Sequence, residues 1–105
     1  MKEKTVQELK QMISSGEDFQ LIDVREEYEF DNGNLNGVLI PLATIMDNAN
    51  QISRDKPVVI HCKAGSRSAT AVNALEQNLG LTNLYNLKGG LMAWKREIDP
   101  TLNVF

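Results

Sequence analysis

Four short apolar runs recur along this chain, at residues 20–24, 38–40, 58–61 and 84–87, with turn residues and helical spacings between them. This alternation limits the possible folds more than any other feature. Short apolar strands alternating with amphipathic helices belong to an α/β domain, with a mainly parallel sheet covered by helices on both faces. The chain has 105 residues, enough for one compact core and too few for two. Residues 1–105 are therefore expected to form a single domain.

The segments between the runs have recognisable starts and stops. Thr5-Val6-Gln7-Glu8 has the spacing of a capping box, and Val6, Leu9 and Ile13 follow at helical intervals until Ser15-Gly16. Acidic residues from Glu26 to Asp31 predict a short helical turn. Gly37 introduces the second run and Pro41 closes it, and a helix is expected over about 44–51. Pro57 opens the most apolar run, at a place where a missing backbone donor is tolerated. Ser68, Val72, Leu75 and Leu79 form one helical face that Gly80 stops. Gly89-Gly90 predicts a sharp turn that can border a site, and Leu91, Trp94 and Ile98 mark a last helix with Trp94 in the core.

The formal net charge is -3, and 42% of the residues are hydrophobic against 24% charged. That balance is ordinary for a globular domain and does not suggest a nucleic-acid or anionic-membrane binder. No apolar stretch approaches the roughly 20 residues needed to cross a bilayer. Met1-Lys2-Glu3-Lys4 leads directly into a polar helical pattern, without a signal-peptide core. One cysteine and one histidine can build neither an internal disulfide nor a structural zinc site. A cytoplasmic protein without metal or cofactor is expected, its thiol kept free by a reducing compartment.

The chemistry concentrates at Cys62. A lone cysteine ending an apolar strand is most often a small buried hydrophobe. Here the run 58–61 leads into Cys62, then Lys63, Ala64, Gly65 and Ser66 make a loop, and Arg67-Ser68 opens a helix. So short a reversal turns successive backbone N–H groups inward as an anion-binding nest, with Gly65 supplying the backbone freedom. The positive end of the helix faces the same space, and Arg67 and Lys63 add formal charge. Each of these terms favours the thiolate, so Cys62 is expected to ionise below the value of about 8.5 for a free cysteine. His61 is next to it, but neighbours on a strand point to opposite faces, so a structural histidine is the expectation. Asp23, Arg25 and Glu26 follow a strand end and are expected to form a supporting framework.

At these residues the chain resembles the rhodanese family of sulfurtransferases. The resemblance rests on Leu21-Ile22-Asp23-Val24-Arg25-Glu26, on Cys62-Lys63-Ala64-Gly65-Ser66-Arg67-Ser68, and on Leu87-Lys88-Gly89-Gly90 through Trp94. It implies a three-layer domain with a five-stranded sheet, and a persulfide carried on Cys62. A donor such as thiosulfate or another persulfide would load the sulfur, and cyanide, a thiol or a protein carrier would remove it. A desulfurase or a sulfur-carrier protein is an implied partner. Asn34-Leu35-Asn36-Gly37-Val38 departs from the His-Ile-Pro-Gly-Ala of many members. The tail Ile98-Asp99-Pro100-Thr101-Leu102-Asn103 is similar to the end of the rhodanese domain fused to enzymes that adenylate sulfur carriers. The chain is then either a free-standing cousin of that domain or a piece of such a fusion.

Two rival readings share these residues. Cysteine phosphatases also run from His-Cys to an arginine, but with five residues between cysteine and arginine where this chain has four, Lys63 to Ser66. The shorter ring is too tight for a phosphoryl group and suits one added sulfur. A non-catalytic rhodanese module commonly lacks the cysteine or the arginine, and both are present here.

Overall fold

The computed structural model describes all 105 residues. Five strands, β1 (Glu3–Lys4), β2 (Gln20–Asp23), β3 (Val38–Leu39), β4 (Val58–His61) and β5 (Leu84–Leu87), form one sheet in the order β1-β5-β4-β2-β3. Every pairing is parallel. The helices are α1 (Val6–Ser14), α2 (Glu27–Asn32), α3 (Ser66–Leu79) and α4 (Gly90–Glu97).

Side-chain alternation along β4 assigns the two faces. Val58 and Ile60 pack with Ala71, Val72 and Leu75 of α3, while Val59 packs with Val6, Leu9, Leu87 and Trp94 under α1 and α4. All four β4 residues are buried, as a central parallel strand requires. Each apolar side chain buried there contributes roughly 1.5–3 kcal/mol. The expected capping box is present: Glu8 N–H donates to Thr5 Oγ1 at 3.1 Å and Thr5 N–H to Glu8 Oε1 at 2.9 Å. Gly80 closes α3 in the left-handed conformation.

Several expectations need correction. The segment 44–51 is not one helix; it holds two 3-10 turns, Leu42–Thr44 and Ala49–Gln51. Asn48 sits between them with its Nδ2 donating to Thr44 O at 3.0 Å, a side-chain bond that competes with helix propagation. On α1 the buried face is Val6, Leu9 and Met12, and Ile13 is exposed. Strand β1 lies in the segment that reads as a polar lead-in. It is a two-residue edge strand whose Glu3 and Lys4 register with Asn86 and Leu87, and a polar edge carries no apolar signal. Helix α3 begins at Ser66, one residue before the expected start. Strands β2 and β3 end one residue earlier than the apolar runs suggest, although the N–H groups of Val24 and Ile40 still bond across to His61 O and Asp23 O.

Strand β4 lies in the middle of the sheet, with β2 and β5 on either side. Cys62 follows its last residue, so the loop that begins there rises from the centre of the carboxyl edge, where open parallel sheets place their ligands.

Candidate active site

Sulfur is the centre around which the 62–68 loop closes. Gly65 N–H donates to Cys62 Sγ at 3.1 Å and Ser68 N–H at 3.4 Å, while Ser68 Oγ lies 3.3 Å away. Gly65 holds φ at 115°, a conformation that residues with a Cβ rarely adopt, which lets the chain turn from the loop into α3. Cys62 is 1% exposed.

Helix α4 holds the loop from below. Leu91 N–H donates to Cys62 O at 3.0 Å and Met92 N–H to Lys63 O at 2.9 Å. In a trans peptide the N–H points opposite to the C=O, so these two bonds aim the N–H groups of Lys63 and Ala64 away from α4. The approach is close: a Cβ on Gly90 would lie 2.6 Å from both carbonyl oxygens. The Gly89-Gly90 turn therefore supports the site as well as bordering it. The N–H groups of Lys63, Ser66 and Arg67 find no acceptor within the protein. They make the loop a concave set of donors of the kind that binds anions.

Burial alone would push the Cys62 thiol up, but it is outweighed. Hydrogen bonds from the Ser68 hydroxyl and from the N–H groups of Ser68, Gly65 and Ala64 bring it below its ordinary value. The loop's own dipoles do this work. Arg67 is already engaged, its Nη1 2.6 Å from Glu29 Oε1 and its Nη2 2.9 Å from Glu29 Oε2. That bond to Arg67 holds the Glu29 carboxyl at about 2 despite the opposing effect of burial. Lys63 is half-buried, and Ala64 and Ser66 are exposed on the rim.

Asp23 and Arg25 form a fully buried ion pair. Arg25 Nη2 meets Asp23 Oδ2 at 2.8 Å and its Nε meets Oδ1 at 3.0 Å. The remaining donors of Arg25 reach Glu29 O at 3.3 Å and Gly33 O at 2.8 Å, which fixes α2 to the end of β2. Glu26 is exposed, and its N–H donates to Glu29 Oε1 at 3.0 Å. His61 is fully buried on the Asp23 side, with Nε2 3.7 Å from Asp23 Oδ2, and neither ring nitrogen has a hydrogen-bond partner. Desolvation keeps it neutral, more strongly than Asp23 favours its charged form.

Two site residues escaped the sequence reading. Glu29 stands in an acidic run with nothing to distinguish it from Glu26 and Glu27. Asn86, a polar residue inside an apolar strand, did carry a signal: it is 5% exposed, with Oδ1 2.5 Å from Ser68 Oγ and Nδ2 3.3 Å from Gly65 O. The largest surface groove, about 500 Å³ between α1 and β3, lies away from Cys62 and contains no nucleophile, so the loop remains the candidate site. No group of three or more His, Cys, Asp or Glu side chains is placed to hold a metal ion. No helix is long and apolar enough to cross a membrane.

Comparison with known proteins agrees with this architecture. The chain is 45% identical over 80 residues to the uncharacterized protein YqhL of Bacillus subtilis, covering 75% of this chain and 63% of YqhL. It is 33% identical to the probable adenylyltransferase/sulfurtransferase MoeZ of Mycobacterium tuberculosis, over 96% of this chain but only 26% of MoeZ. The chain thus spans less than two thirds of each of these relatives. A sulfurtransferase of Allochromatium vinosum is 36% identical, over 88% of this chain and 86% of its own. Among solved structures, a rhodanese-like domain protein from Staphylococcus aureus superposes with a TM-score of 0.84 at 37% identity, covering 100% of this chain and 99% of that one. The rhodanese-like domain family matches residues 5–97, which include the whole loop and helix α4 that braces it. By sequence and by fold together, this chain belongs to the rhodanese-like domain family.

Proposed function

We propose that residues 1–105 act as one sulfurtransferase domain that carries sulfane sulfur as a persulfide on Cys62. The observation that carries this reading is the ring of donors around one sulfur atom: Gly65 N–H, Ser68 N–H and the Ser68 hydroxyl on Sγ, with further N–H groups of the loop unpaired. Such a ring stabilises a thiolate, and after reaction it stabilises the anionic outer sulfur of a persulfide.

The reaction has two halves. The Cys62 thiolate forms a bond to the outer sulfur of the donor while the donor's sulfur–sulfur bond breaks, its electron pair leaving on sulfite or on a thiolate. An acceptor nucleophile, cyanide or a thiol, then takes the outer sulfur, and the electron pair of that bond returns to Cys62. No net oxidation occurs, and the loop donors serve both steps. The likeness to MoeZ favours a protein donor or acceptor, a desulfurase or a sulfur carrier. A reducing, cytoplasmic setting suits a free thiol of this kind.

Intact-mass measurement after incubation with thiosulfate or a thiol persulfide tests the reading. One added sulfur, absent in Cys62→Ala, is the expected result. No adduct from either donor would leave a rhodanese module that binds partners without transferring sulfur.

A further inference from the structure

The proposed chemistry assigns no task to Glu29, although it is a charged residue at the rim of the loop. Its carboxylate lies flat against both Nη atoms of Arg67, at 2.6 and 2.9 Å, and its Oε1 is held in place by the Glu26 N–H at 3.0 Å. The Glu29 side chain is only 7% exposed, against 34% for Arg67. Arg25, bound to the carbonyl of Glu29 at 3.3 Å, anchors the same turn of α2 to the buried Asp23. The carboxylate is therefore built in.

A guanidinium fork is the group that recognises oxyanions at close range. Here one edge of the fork is filled from within the chain, and the pair brings no net charge to the loop. Backbone N–H dipoles, the Ser68 hydroxyl and the single formal charge of the half-buried Lys63 remain to meet a donor. They can stabilise one negative charge on sulfur, and they are weaker compensation for a dianion arriving beside a thiolate. Thiosulfate is such a dianion, and it keeps its charge on the departing sulfite. A persulfide borne on a thiol and arriving as RS–SH is uncharged at its reacting end.

We infer that Glu29 determines donor specificity: by neutralising Arg67 it adapts the site to thiol-borne persulfides and disfavours thiosulfate. This rests on the reading of Cys62 as a sulfur carrier.

The test compares wild type with Glu29→Gln, which keeps an acceptor oxygen for the Glu26 N–H but frees the charge of Arg67. Two rate ratios are measured on each protein. One is sulfur loading from thiosulfate relative to the persulfide of N-acetylcysteine methyl ester, followed by intact mass. The other is Cys62 alkylation by iodoacetate relative to neutral iodoacetamide, which reads local charge without any sulfur transfer. One unit charge released near the thiol is expected to raise both ratios about tenfold. Unchanged ratios overturn the inference while leaving sulfur carriage intact. No loading from either donor in either protein overturns the carrier reading and this inference with it. If Glu29→Gln does not fold, Lys63→Met, which removes the other formal charge of the loop, supplies the answer through salt. A neutral pair predicts an iodoacetate-to-iodoacetamide ratio that falls less than about threefold between 10 mM and 500 mM salt, and a steeper fall reveals an uncompensated cation and refutes the inference.

Discussion

The hydroxyl oxygen of Ser68 lies 2.5 Å from Oδ1 of Asn86, within hydrogen-bond distance. The same hydroxyl oxygen is 3.3 Å from Cys62 Sγ. A hydroxyl has one proton, so it cannot serve both acceptors. With its proton on Asn86, Ser68 accepts from the neutral thiol; with its proton on sulfur, it stabilises the thiolate. Substitutions at the two ends should therefore act in opposite directions. Ser68→Ala should raise the midpoint of the Cys62 alkylation pH profile by about one pH unit, the value of a hydrogen bond to a charged group. Asn86→Leu should lower it by removing the nearer of two competing acceptors, the other being Gly65 O at 3.1 Å. Shifts in the same direction in both variants would show that the hydroxyl does not switch.

The wild-type thiol itself should titrate early. Hydrogen bonds from Ser68, Gly65 and Ala64 more than offset the cost of burial. The midpoint of iodoacetamide reaction at Cys62 is expected below the value of about 8.5 for a free cysteine. A midpoint at or above that value would show that burial wins.

Gly90→Ala tests whether α4 sets the shape of the loop. The new Cβ would lie 2.6 Å from the carbonyl oxygens of Cys62 and Lys63, at a backbone φ of 57°. Both effects oppose folding, and a loss of about 2–4 kcal/mol is expected in urea unfolding. Protein that does fold should load sulfur more slowly, because its Lys63 and Ala64 N–H groups are turned. A variant with wild-type stability and loading would refute the bracing role.

Arg25→Met should be among the most damaging single changes. It leaves the fully buried Asp23 carboxylate without its ion-pair partner and frees the carbonyls of Glu29 and Gly33. Removal of one partner from a buried pair costs about 3–5 kcal/mol. The sign is read by chemical denaturation at neutral pH.

Acid should weaken the fold in two stages. The folded state holds His61 below its ordinary 6.5, so the unfolded chain takes up a proton first as pH falls through that value, and stability declines from there. Glu29 is held at about 2 against an ordinary 4.5, so its contribution is complete above 4.5 and is lost as pH falls from there toward 2. The second stage is worth roughly 2 kcal/mol once the partial exposure of Arg67 is discounted. Glu29→Gln should remove the second stage and leave the first. Unfolding free energies measured from pH 7 to pH 3 would show both.

The sequence by itself determined the elements whose signals are local. Apolar runs marked β2 to β5, the Thr5–Glu8 box marked the start of α1, Gly80 marked the end of α3, and the strand–loop–helix spacing singled out Cys62. The chemistry at these places is written in neighbouring residues, so it can be read without the fold. Tertiary structure alone decided the rest. Strand β1 exists because β5 offers it an edge, and Met12 is buried where Ile13 is not because the sheet lies on that side. Asn86 reaches Ser68 across 18 positions, and Glu29 reaches Arg67 across 38. Pairings of that length depend on where the parallel sheet brings its carboxyl ends together. That is why the sequence located the sulfur, while the fold decided which charges and dipoles surround it.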